Sequence, residues 1–132
     1  AWLKDAEAKL KDGAAKGIHP AIGAPAAERS PALHLLYRSI DEMAGMLDKE
    51  KLRAGLRRTA SRRTTELKTF DVPTLLIAGG EDVVFPPFLA SAIAATLTCG
   101  EAALMADAGH SPYFEQAATF NGLVEAFLAR QR

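Results

Sequence analysis

Two short stretches hold the residue types that carry acid–base chemistry. "GGEDVVFPP" contains Glu81 and Asp82, and "DAGHSPYFEQ" contains His110 between Gly109 and Ser111-Pro112, with an aromatic pair and Glu115 behind it. A carboxylate that accepts a hydrogen bond from one imidazole nitrogen fixes the tautomer and leaves the other nitrogen as a general base. An Asp82–His110 pair could therefore relay protons to and from a nucleophile, with Glu81 as the rival acid. Gly109 and Pro112 suit an exposed loop of fixed shape around the histidine.

Such a pair needs two elements that deliver it to one place. "VPTLLIAGG" is a short apolar run bounded by Pro and a Gly pair, which predicts a strand buried on both faces. "PPFLASAIAATLT" reads as a helix, "EAALMAD" as a weaker buried strand, and "QAATFNGLVEAFLAR" as a closing helix with Phe120, Leu123, Val124, Phe127 and Leu128 on one face. The order β-α-β-α predicts a parallel pair with right-handed crossovers. Functional groups of parallel sheets collect at the carboxyl ends of strands, where both Asp82 and His110 fall.

The first half reads differently. "AWLKDAEAKLKDG" predicts a helix with Leu3, Ala6 and Leu10 on one face, a Glu7–Lys11 pair and a stop at Gly13. The next stretch, to Arg29, has no period and predicts a loop. Ser30 and Pro31 start another helix, and Ser39 with Glu42 suggests a capping box and a new helix near Ile40. Asp48 should cap a third helix through the basic run "RAGLRRTASRR" (Arg53, Arg57, Arg58, Arg62, Arg63), with its cations in solvent. Residues 1–70 carry 14 Lys+Arg against 9 Asp+Glu, and residues 71–132 carry 2 against 7, a split that suggests two segments with different surroundings.

At 132 residues the chain is one modest domain, and 48% apolar with 24% charged residues suits a globular protein. No apolar run approaches the roughly 18 residues of a membrane span, and no secretory signal pattern opens the chain, so a cytoplasmic protein without membrane contact is expected. The lone Cys99 excludes an internal disulfide and a thiolate zinc site; no metal or cofactor is expected. The arginine run lacks aromatic interleaving and any nucleic-acid motif, so no nucleic-acid partner is expected either.

With these residues in view, the chain resembles the C-terminal third of the α/β-hydrolase superfamily. "PTLLIAGGEDVVFPP" is similar to that family's penultimate strand and acid loop, with Asp82 at the acid and Pro86 beyond it. "ADAGHSPYFEQAATFNGLVEAFL" is similar to its last strand, histidine loop and closing helix, with His110 at the triad histidine, in the form seen in lipase-like and carbon–carbon-bond hydrolases. The resemblance covers residues 70–132. It implies an α/β fold: a partial hydrolase sheet of two parallel strands with helices over 70–132, preceded by an all-helical, cap-like segment over 1–69. It also implies hydrolysis of an ester, lactone, thioester or carbon–carbon bond in a small-molecule substrate.

The departure from that pattern is equally informative. The family carries its nucleophile on a G-x-S-x-G turn earlier in the chain, and none of the five serines (Ser30, Ser39, Ser61, Ser91, Ser111) sits in one. Ser111 adjoins His110, but neighbouring loop side chains diverge. The nucleophile, which could be Ser, Asp or Cys, and the oxyanion hole are therefore expected from a missing N-terminal half or a second chain, and the chain alone should be inactive. The alternative is a non-catalytic remnant that acts as an association module. Self-association is expected in either case, because two strands leave a sheet edge open.

Around the site, Phe85, Phe88, Tyr113 and Phe114 are candidates for an apolar substrate pocket, although Tyr113 and Phe114 equally suit packing. His19 and His34 read as surface or packing groups of the helical segment, and Leu36, Met43, Met46 and Leu47 as ordinary helix-face residues.

Overall fold

The computed structural model describes residues 2–45, 48–59 and 64–131. Met46, Leu47, Ser61, Arg62 and Arg63 lie outside the described residues.

The chain is mixed α/β. In order it forms α1 (Trp2–Ala15), α2 (Ala24–Arg29), α3 (Pro31–Met43), α4 (Lys49–Thr59), a 3-10 turn (Thr64–Thr69), β1 (Thr74–Gly79), α5 (Phe88–Ala94), β2 (Gly100–Met105), α6 (Pro112–Glu115) and α7 (Ala117–Ala129). β1 and β2 pair in parallel, from Thr74 opposite Gly100 to Gly79 opposite Met105. Among the described residues β1 has one strand neighbour, so its other edge is unpaired. None of the described helices is long and apolar enough to cross a membrane.

Four local expectations are corrected. α1 does not stop at Gly13: it runs to Ala15, and Gly17 at φ 69° supplies the left-handed residue beyond its end. Among the described residues the i,i+4 ion pairs along and just beyond it are Asp5–Lys9 (3.4 Å) and Asp12–Lys16 (2.8 Å), not Glu7–Lys11. Residues 24–29, expected as loop, form α2. Six residues are too few to show a period; packing decides, with Ala26 and Ala27 buried beside Ile22 and covered by Ile18, Tyr37 and Phe114. α3 does not break at Ile40. The Ser39 hydroxyl donates back to the Leu35 carbonyl at 3.1 Å inside a continuous helix instead of opening a new one. Asp48 does cap α4, accepting the Lys51 N–H at 2.9 Å, and Arg53, Arg57 and Arg58 are exposed.

The buried set is narrow and built of small side chains, chiefly alanines, with Ile22, Met105 and Phe127 as its larger members. β1 was expected to be buried on both faces. It is only half-buried over Thr74–Ile77 and fully buried at Ala78 and Gly79, because one strand and few helices cover it. Leu104 on β2 is 63% exposed, as are Leu35, Leu36, Ile40 and Met43 along α3 in similar degree.

The two halves of the chain touch at the carboxyl ends of the strands. Lys9 of α1 pairs with Glu81 at 2.9 Å, and Arg29 donates to the Asp107 carbonyl at 3.5 Å. Gly79 allows this end to close: a β-carbon there would stand 2.0 Å from the Gly109 carbonyl oxygen, so no other residue fits where β1 meets the histidine loop.

Candidate active site

The acid lies just past the end of β1. A tight turn after Gly79, with the Asp82 N–H donating to the Gly79 carbonyl at 3.3 Å, turns the Asp82 side chain inward. Asp82 is 7% exposed. Its Oδ1 accepts the backbone N–H groups of Val84 (2.7 Å) and Phe85 (2.9 Å), an arrangement natural to Asp at the head of a turn. Both lone-pair directions of that oxygen are thus committed, and Oδ2 is aimed elsewhere.

Oδ2 lies 2.8 Å from Nδ1 of His110. In the neutral ring this hydrogen bond places the proton on Nδ1 and the lone pair on Nε2. The His110 side chain is 44% exposed while its partner carboxylate is buried. Thus one nitrogen is anchored inside the protein and the rest of the ring faces outward. Glu81, the rival acid, points away. It holds the Lys9 ammonium at 2.9 Å, and that hydrogen bond keeps Lys9 above its ordinary pKa against the opposing effect of burial.

The histidine loop is tied down by two contacts that the sequence did not reveal. The Ser111 hydroxyl is buried, 2% exposed, and donates to the Tyr37 hydroxyl oxygen of α3 at 3.0 Å. Ser111 is thereby occupied as a structural link. Glu115 accepts the N–H groups of Gly109 (2.9 Å to Oε2, 3.0 Å to Oε1) and Ser111 (3.2 Å), on either side of His110, and that of Gly23 (3.0 Å) from the helical half. The available signal was the spacing Ser-x-x-x-Glu, one residue longer than a capping box.

The aromatic candidates divide. Phe85 lines a cleft of about 210 Å³ together with Leu76, Ala78, Asp82, His110 and Pro112. Phe88 starts α5 at 61% exposed and is not part of that lining. Tyr113 is 55% exposed and packs edge-on to Phe120, with ring centroids 6.2 Å apart. Phe114 packs edge-on to Tyr37 at 5.1 Å and covers the Ile22 cluster, so it is a packing residue. Through Leu76, Ile77 and Ala78 the cleft runs along β1. A larger cleft, about 380 Å³, lies between α1 and residues 18–28 and reaches Glu81 and Val83 but not His110.

His19 and His34 form a local structural pair. His34 Nε2 accepts the His19 N–H at 3.1 Å, and His19 Nδ1 accepts the Ala21 N–H at 3.1 Å. Burial, with the Arg38 guanidinium and the His19 ring nearby, holds His34 below its ordinary pKa of 6.5. Among the described residues no group of three or more His, Cys, Asp or Glu side chains could hold a metal ion.

Compared with protein-family models, with curated proteins and with solved structures, the chain finds no match. The functional reading therefore rests on the residues and their geometry.

Proposed function

We propose that this chain supplies the acid and the base of a serine-type α/β-hydrolase. Its helical first half would act as the cap-like segment and its β-α-β-α second half as the end of the catalytic sheet. One observation carries the reading: a buried carboxylate, fixed by two backbone N–H groups, holds Nδ1 of an outward-facing histidine at 2.8 Å past the carboxyl ends of two parallel strands.

In the proposed reaction, His110 Nε2 takes the proton of a nucleophile as that nucleophile attacks the carbonyl carbon of an ester, lactone or activated ketone. His110 then returns the proton to the leaving oxygen or carbon. Water attacks the acyl intermediate with the same base, which regenerates the nucleophile. Asp82 stabilises the imidazolium formed in each half-reaction. The nucleophile and the oxyanion-hole donors would come from a segment outside this sequence or from a second chain, seated along the unpaired edge of β1 where the Phe85 cleft opens. The small-molecule substrate would lie in that cleft.

The test is hydrolysis of an activated ester. The chain alone should do little more than free imidazole. The assembly containing the nucleophile segment should turn over, and His110→Ala should remove most of that rate.

The open β1 edge and the exposed Leu104 favour a second reading, an association module without catalysis. It would hold if the assembly forms and shows no His110-dependent turnover.

A further inference from the structure

The geometry points to Glu115 as a positioning residue that couples the helical half of the chain to the orientation of His110. Three backbone N–H groups converge on its carboxylate. Two, from Gly109 and Ser111, flank His110 directly; the third, from Gly23, belongs to the turn that enters α2. α6 makes this possible. Its single turn, with the Glu115 N–H donating to the Ser111 carbonyl at 2.9 Å, folds residue 115 back over residues 109–111.

The junction leaves no slack. A β-carbon on Gly23 would meet the Gly109 nitrogen at 2.9 Å and Glu115 Oε2 at 3.2 Å, and one on Gly109 would meet the Gly23 nitrogen at 2.3 Å. Backbone therefore lies against backbone, with one carboxylate accepting from both sides. A carboxylate is the side chain suited to this place, since both oxygens only accept; an amide would aim an N–H₂ at an N–H. Displacing the Gly23 turn moves Glu115, and Glu115 moves the two residues that set the ring of His110. The Asp82–His110 distance thus depends on where the helical half sits.

The consequence for hydrolysis rests on the acid–base reading above; the coupling itself does not. It is tested in the 132-residue chain by low-temperature proton NMR of the far-downfield His110 Nδ1–H resonance, with Asp82→Asn as the reference for its loss. Glu115→Gln should keep a cooperative melt yet lose or broaden this resonance as Asp82→Asn does. Gly23→Ala, remote in sequence from His110, should shift it. A folded Glu115→Gln with a wild-type resonance would overturn the proposal. If Glu115→Gln does not fold, Gly23→Ala decides: an unchanged resonance overturns the coupling, and a shifted one supports it. Failure of the hydrolase reading would look different, namely an intact, Glu115-dependent resonance in an assembly that does not turn over.

Discussion

Asp82 and His110 meet from two different strands: the acid lies three residues beyond Gly79 and the histidine five beyond Met105, the last paired rung of the sheet, and their side chains close to 2.8 Å. The sheet register thus sets the site. A one-residue slip between β1 and β2 would turn the side chains over and separate the pair.

Removing the acid should cost stability as well as chemistry. Asp82→Ala leaves the N–H groups of Val84 and Phe85 without their acceptor in a part-buried turn, a loss of about 1–3 kcal/mol in chemical denaturation. Asp82→Asn keeps one carbonyl oxygen and should cost less.

The Ser111–Tyr37 hydrogen bond gives a pairwise test of the contact between the two halves. Ser111→Ala and Tyr37→Phe should each cost about 0.5–1.5 kcal/mol. The double variant should cost less than their sum, because each single change already breaks the bond. Additive losses would show that the two hydroxyls are not coupled.

His34 should give the stability a pH dependence of known sign. Its folded pKa lies below the ordinary 6.5, for burial first and the nearby Arg38 guanidinium and His19 ring second. The unfolded chain therefore binds the proton more readily. The contribution is fully present above about pH 6.5 and is lost as pH falls through the lower folded value. Thermal melts between about pH 8 and pH 5, roughly 1.5 units either side of the ordinary histidine value, should show this loss. His34→Gln, whose side-chain oxygen can still accept the His19 N–H, should reduce it. An unchanged pH slope in that variant would contradict the assignment.

The open edge of β1 predicts association. Among the described residues a single strand neighbour leaves alternate N–H and C=O groups of β1 unpaired, and Leu104 adds apolar surface at 63% exposed. Sedimentation at micromolar concentration should show self-association or capture of a strand from the nucleophile segment. Leu104→Glu should shift the self-associated form toward monomer. A stable monomer at all concentrations would mean that the edge is satisfied within the chain.

Much of the second half was legible because its signals are local. A β-branched or aliphatic run between Pro73 and Gly79 can hardly be other than a strand, and strand ends predict where Asp82 and His110 gather. The first half was less legible. α2 lacks the length to show a period and exists because Ala26 and Ala27 pack under Tyr37 and Phe114. Ser39 offered a cap in sequence, but the continuing helix used its hydroxyl for a back-bond. Glu115 and the Tyr37–Ser111 link stayed hidden for one reason: each joins residues 74 or more positions apart in at least one contact, and no spacing rule encodes which distant N–H a side chain will reach. The half-burial of β1 was missed because an apolar sequence reports what a strand suits, not how many neighbours cover it.

The central proposal is that His110, held by Asp82 at 2.8 Å, would serve as the general base of a hydrolase whose nucleophile comes from another segment or chain. The most direct measurement is hydrolysis of p-nitrophenyl butyrate by the assembly that contains this chain and the nucleophile segment, with and without His110→Ala. The account predicts little activity for the chain alone, turnover for the assembly, and a loss of about a hundred- to ten-thousandfold in kcat on the substitution. Turnover that is unchanged by His110→Ala would contradict it.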